Sequence, residues 1–331
     1  MIFLYLVLAL IALIAIVFSI KLIQLKTGNK KVSEELASIH YEKLADVDTV
    51  SHLSILPLVD FFTDDDRLKT EPGVSYLIRA DDTTILMDVG FNRTKAHPSP
   101  LLHNMRTLDV SPEDIDLLFF SHIHLDHVGG MREQKKHLFS LSQGDVKLPE
   151  IPAYAPDVLA PSRWNPGPEV TVIKKPQVLA KGVASIGVIP RNLFIMGYTL
   201  ENSLAVNVEN KGIVLVVGCG HQKIERIIER AKNLFDAPIY GIIGGLHYPV
   251  KSGRVMLGPF NIQNIVGADT PPWNGIQVKD VKTAVSAIKK VDPEFIALSP
   301  HDSSDWSIAQ FKEAFKKKYH DLKVGKELLL S

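Results

Sequence analysis

One cysteine, Cys219, is all that the 331 residues provide, which excludes an intramolecular disulfide framework and leaves the redox compartment open. A net charge of either sign is equally missing, since 37 lysines and arginines balance 37 aspartates and glutamates. Without a basic excess there is no electrostatic footprint for a nucleic-acid partner, and none is expected. Charged side chains are also absent from Ile2 to Ile20. An apolar run of that length just spans a hydrocarbon core of about 30 Å. A cleaved signal peptide would need a basic stretch ahead of a shorter apolar core and a small-residue cleavage site, and none of these stands before Lys21.

Lys21, Lys26, Lys30 and Lys31 follow the run and no basic side chain precedes it. The expected organisation is a single-pass membrane protein: an anchor over residues 1–21, a helical or irregular stalk over 22–52, and one globular domain over 53–331. The positive-inside rule places that domain on the cytoplasmic side.

Within the domain, the apolar run Leu117 to Phe120 reads as a buried strand, and the chain leaves it as Ser121-His122-Ile123-His124-Leu125-Asp126-His127-Val128-Gly129-Gly130. Alternate residues of an extended segment share a face, so His122 and His124 can present two imidazoles to one metal ion. Asp126 and His127 follow as the chain turns, and would serve a second ion or a metal-bound water. A His-rich surface loop is the plain alternative, disfavoured by the buried strand that delivers these residues. Asp64-Asp65-Asp66, by contrast, reads as a solvated turn.

Three further histidines stand at strand ends. Ile213 to Val217 lead into Gly218-Cys219-Gly220-His221, with a helical face of Ile224, Ile227, Ile228, Ala231 and Leu234 behind them. Ile239 to Ile243 lead into Gly244-Gly245-Leu246-His247, and Phe295 to Leu298 into Ser299-Pro300-His301. Strand, tight turn and helix in succession place turn residues at the mouth of a sheet, where sites collect in layered folds. The Pro-rich tract 132–182 reads as loop-rich cover beside the pocket, with Trp164 either a stacking platform or a loop anchor.

H-x-H-x-D-H after a hydrophobic strand resembles the signature of the metallo-β-lactamase superfamily. The order of Val74 to Ile78, Asp88-Val89-Gly90, Asn104 and Ser121 to Gly130 is similar to the branch that includes a dihydropterin-linked phosphate synthase. The resemblance, with the element order, implies an α/β (α+β) four-layer αββα sandwich behind the transmembrane helix. It implies two divalent ions, one bound by His122, His124 and His221 and the other by Asp126, His127 and His301. Zinc is the default for nitrogen-rich ligation, with manganese or iron admitted. Asp88 is implied as a support that fixes the loop, and Asp126 and His247 as catalytic groups. His247 can act as a ligand, a general acid or a phosphate contact.

The expected activity is that of a membrane-anchored metal-dependent hydrolase using a metal-bound hydroxide on a small-molecule phosphoester or related ester. The alternative is a non-hydrolytic diiron redox or metal-binding sensor protein on the same fold, and diiron members pair with a flavin module that this length does not provide. The chain departs from the branch pattern at two places: Gly220 replaces a serine, and Asp302 follows His301 where the branch has cysteine. It departs from many superfamily members in that the turn at Cys219 has no bridging aspartate. Cys219 can supply a thiolate or pack as a small buried residue. Residues 249–275 resemble a substrate-capping insertion.

Overall fold

The computed structural model describes residues 1–331. Its strands are short apolar runs whose two faces are both buried, and the alternation along them sorts side chains into separate layers. Val214 and Val216 join Ile55, Tyr76, Ile78, Ile85 and Phe119 in the layer between two sheets. Ile213, Leu215 and Val217 point the other way, into a layer with Ile227, Ile288 and Phe311 from three helices. Leu56, Leu58, Leu77, Leu86 and Leu118 form the remaining layer under Leu101 and Met105. Helix, sheet, sheet, helix is therefore a direct consequence of period-two burial on strands that face the core twice.

The first sheet runs in the order Leu328–Leu329, Leu53–Val59, Ser75–Ala80, Thr83–Met87, Leu117–Phe119, Ala153–Ala155, Val170–Val172. It is antiparallel up to Thr83–Met87 and parallel beyond. The second runs Phe295–Leu298, Ile239–Gly244, Gly212–Val217, Leu204–Val208, Val183–Ser185, Gln177–Ala180, parallel in its first two pairings. Helices Ile224–Leu234, Val278–Val291 and Asp305–Phe315 cover its outer face. Because neighbouring strands Gly212–Val217, Ile239–Gly244 and Phe295–Leu298 are parallel, their C-terminal ends emerge on one edge, with His221, His247 and His301 just beyond them.

Two segments differ from expectation. The tract 132–182 is not loop alone: its short strands Ala153–Ala155 and Val170–Val172 extend the first sheet, and Trp164 lies under the Arg163 guanidinium, 4.2 Å away. Prolines at 149, 152, 166 and 168 punctuate these strands. The N-terminal helix continues unbroken from Ile2 to Ser38, so the first part of the expected stalk is helix laid on the domain. Leu25 and Val32 are buried, and Leu36 packs on the helical layer. Asn192 on the hairpin Ile189–Leu193/Gly197–Glu201 donates to Leu25 O at 3.2 Å. Gly28 permits that approach, because a Cβ there would stand 2.3 Å from Asn192 Oδ1.

Candidate metal centre

Asp88 ends its strand with φ 59° and turns its carboxylate inward, where it organises the histidine loop. Its Oδ1 accepts from Ser121 N (2.8 Å), and its Oδ2 from Ser121 Oγ (2.6 Å) and His127 Nδ1 (2.7 Å). Ser121 Oγ also lies 3.0 Å from His122 Nδ1. One buried carboxylate thus orients two imidazoles, the part expected of Asp88. Gly129, at φ +92°, lets the loop close, since a Cβ there would stand 2.1 Å from Ser140 O.

A second arrangement of the same kind holds His301. Its Nδ1 lies 2.6 Å from Ser299 Oγ, which donates to Asp60 Oδ2, also at 2.6 Å. Burial pushes the Asp60 carboxyl up to about 7, against hydrogen bonds from Ser299 and others that lower it. Asp60 has no local signal in the sequence; it becomes part of the site only because 239 residues later Ser299 meets it across the sheets.

The rings gather closely. His122 lies 4.5 Å from His124, 4.1 Å from His127 and 5.3 Å from His221 between centroids, and His127 lies 5.6 Å from His301. Asp126 Oδ2 stands 3.8 Å from His127 Nε2. The five histidines expected to ligate metal are therefore in one buried cluster, with Asp126 half-buried beside His127. Two groups of ligand atoms lie within 4.8 Å of one another, His122 with Cys219 and His221, and His127 with Cys219 and His301. His122 and His221 fall in one group and His127 and His301 in the other, Cys219 Sγ is common to both, and His124 and Asp126 are in neither.

A third such group, Cys219 with His247 and Asp302, brings in a residue the sequence reading missed. Asp302 Oδ2 accepts from His247 N at 2.8 Å and lies 3.8 Å from His301 Nε2. The carboxylate lacking at the Cys219 turn thus arrives from a neighbouring strand end. Its signal was its place directly after His301. Glu201, also missed, accepts from Cys219 N (3.0 Å) and Gly220 N (2.7 Å) and so holds that turn; burial pushes its carboxyl up to about 7.

Buried polar atoms test whether a cation fits. His122 Nε2, His127 Nε2, His221 Nδ1 and His301 Nε2 are all buried with no hydrogen-bond partner. An unsatisfied buried group costs about 1–3 kcal/mol, so four in one place call for a common partner. Burial, then neighbouring imidazoles, hold His122, His221 and His301 well below the usual histidine range, and His124 falls to about 3. Neutral imidazoles with unused lone pairs are what a divalent ion requires. His127 differs: burial would lower it, but Asp88, Asp126 and Glu201 carry it up to about 9. His247 approaches Gln263 O with Nε2 (3.2 Å) and Cys219 Sγ with Nδ1 (3.3 Å). Donation from Nε2 to that carbonyl leaves Nδ1 with its lone pair toward the centre. Burial lowers His247 to about 4.

A cavity of about 340 Å³ opens beside His247 and Gly220. Its cations are Arg191, Lys223, Arg226 and Lys279, and its acids are Glu225, Asp269 and Asp280. Asp269 is engaged by Arg191 (3.0 Å) and Lys223 (3.1 Å), and Asp280 accepts from Gln277 N (2.7 Å). Arg226 keeps a buried Nη1 without a partner. Residues 269, 270 and 274–276 of the expected capping insertion form one wall.

Comparison with known proteins agrees with this geometry. Residues 68–219 match the family model described as the metallo-beta-lactamase superfamily. Over 290 residues the chain is 24% identical to the 7,8-dihydropterin-6-methyl-4-(beta-D-ribofuranosyl)-aminobenzene-5'-phosphate synthase of Methanocaldococcus jannaschii, covering 78% of this chain and 89% of that one. Among solved structures it is similar to a metal-dependent hydrolase of the beta-lactamase superfamily, with TM-score 0.56 and 19% identity, over 85% of this chain and 100% of that one. Zn(2+)-bound PqqB from Methylobacterium extorquens is similar at TM-score 0.50 and 9% identity, over 83% of this chain and 99% of that one.

Proposed function

The chain belongs to the metallo-β-lactamase superfamily, and from that premise we propose that it is a membrane-anchored, metal-dependent hydrolase acting on a small anionic phosphoester. The observation that carries the proposal is the set of four buried, unpartnered imidazole nitrogens converging on one centre. His122, His124 and His221 would hold one divalent ion, and Asp126, His127 and His301 the other, with Cys219 in reach of both and Asp302 beside His301. Zinc is the ion this nitrogen-rich set favours. Bound there, the ions would supply Lewis-acid activation of water and of the group under attack.

The chain's own residues supply the rest. Asp88 and Ser121 fix His122 and His127, while Asp60 and Ser299 fix His301, so that the free nitrogens stay aimed at the centre. Asp126, its Oδ2 3.8 Å from His127 Nε2, would accept a proton from the attacking water. His247, neutral and with Nε2 donating to Gln263 O, turns the Nδ1 lone pair toward the centre, where it would take up that proton and pass it to the leaving group. Arg191 and Lys223 share Asp269, but Arg226 and Lys279 are in no ion pair, and these two favour an anionic substrate. The curated relative, named for a 5'-phosphate product, supports the same preference.

The helix Ile2–Ser38, apolar and wholly exposed along its first part, is read as the anchor, with Lys21 onward and the domain on the cytoplasmic side. A panel of phosphodiester, phosphomonoester, lactone and thioester substrates offered to the zinc-loaded full chain tests the proposal. Turnover of a phosphoester that His221→Ala abolishes is expected; a metal-loaded chain inert toward all four classes would overturn it.

A further inference from the structure

The N-terminal helix is not the domain's only apolar surface at the level of the bilayer. Among residues 1–20, Phe18 alone is partly buried, and what covers it belongs to the catalytic domain. Its ring lies 5.9 Å from Phe194, at the tip of the hairpin Ile189–Leu193/Gly197–Glu201, and 5.8 Å from Trp273 in the capping insertion. The 19 residues Ile2 to Ile20 rise about 1.5 Å each and so reach about 28 Å, barely the thickness they must cross. Phe18 therefore sits in the last turn inside the hydrocarbon, and the rings touching it lie at the headgroup boundary, where tryptophan is favoured.

Further apolar side chains, next to Phe194 in the chain and in the same insertion as Trp273, are exposed. Ile195 is 42% exposed beside Phe194, and Trp273 is 69% exposed. In the same insertion, the hairpin Met256–Leu257/Phe260–Asn261 leaves Leu257 68% and Phe260 60% exposed. Eleven residues beyond Phe18, Asn29 donates to Asp269 O at 2.9 Å, and Asp269 is the carboxylate that joins Arg191 and Lys223 at the cavity. The cavity thus stands about 16 Å above Phe18 along the helix axis. Residues 270 and 274–276 line the cavity, and Trp273 between them turns outward to Phe18.

We propose that the capping insertion and the hairpin tip at Phe194 and Ile195 form a second membrane contact, seated in the headgroup layer beside the anchor, so that the cavity mouth faces the bilayer surface. The occupant of this apolar face is the lipid surface itself, because the face is continuous with a helix already inside it. The substrate class that suits such a mouth is an amphiphile whose anionic phosphoester head enters among Arg191, Lys223 and Arg226 while its apolar part remains in the bilayer. This rests on the anchor and phosphoester readings above.

The test uses the full chain in vesicles of phosphatidylcholine and phosphatidylglycerol, carrying Trp164→Phe and Trp306→Phe so that Trp273 is the sole fluorophore. Lipids brominated near the carbonyl should quench Trp273 at least twofold, with little quenching by aqueous acrylamide. A second reporter, Leu257→Trp in a chain also carrying Trp273→Phe, should behave likewise. A chain retained in the membrane after alkaline washing whose Trp273 and Leu257→Trp reporters are open to acrylamide and unquenched by lipid would overturn the second contact and leave the anchor standing. Loss of the chain on washing would overturn both, and neither result bears on metal-dependent turnover.

Discussion

Asp88→Asn is nearly isosteric and buried, so it changes hydrogen bonding while leaving volume intact. The amide oxygen can keep the bond from Ser121 N, but the amide NH2 then faces Ser121 Oγ and His127 Nδ1, both of which now donate to Asp88 Oδ2 at 2.6 and 2.7 Å. To avoid donor facing donor, His127 must move its proton from Nδ1 to Nε2. Nε2 is the nitrogen left without a partner inside the cluster, so the shift closes the lone pair a cation would use. A hydrogen bond to a charged group contributes about 1.5–3 kcal/mol, and losing an outer partner of a ligand histidine costs about 10–100-fold in metal affinity. The expected outcome is a loss of about 10–100-fold for the more weakly held zinc ion, measured by competition with a chelating dye, with circular dichroism unchanged. Affinity within about threefold of wild type would refute the orienting role of Asp88.

Other outcomes follow from the same geometry. Zinc binding to the metal-free chain should release a proton near pH 7.5, because Asp88, Asp126 and Glu201 lift His127 to about 9 and that proton must leave before Nε2 ligates. Affinity should accordingly rise with pH up to about 9, and a titration enthalpy that does not change with buffer would count against it. Arg226→Ala should raise KM for an anionic phosphodiester about tenfold with a much smaller change in kcat, since its free guanidinium lines the cavity and not the metal cluster. Gly28→Leu should loosen the helix from the hairpin at Asn192, seen as faster hydrogen exchange across 189–201; unchanged protection would show that the contact is dispensable.

The strand ends were legible because a buried strand writes itself as an apolar run closed by small residues. Ile213 to Val217, Ile239 to Ile243 and Phe295 to Leu298 each announce the histidine that follows. The αββα layering was likewise readable, but from the element order together with the family resemblance; runs without polar alternation agree with it. Asp60 and Glu201 were not legible: each is a single acid whose meaning comes from a partner distant in sequence, Ser299 for one and the Cys219 turn for the other. Asp302 stood in plain view but was weighed only as a missing cysteine. The docked face of the N-terminal helix was hidden for another reason. Phe18 stands where nearly every residue is apolar and has no contrast, whereas Leu25, Val32 and Leu36 stand among polar neighbours at helical spacing, a signal that a stalk reading leaves unused.

Metal content and turnover measured on one sample of the full chain bear most directly on the central claim. The account predicts two divalent ions per chain, turnover of a generic phosphodiester that vanishes on chelation, and its return when zinc is added back. A purified chain that binds no metal, or one whose turnover survives chelation, would contradict it.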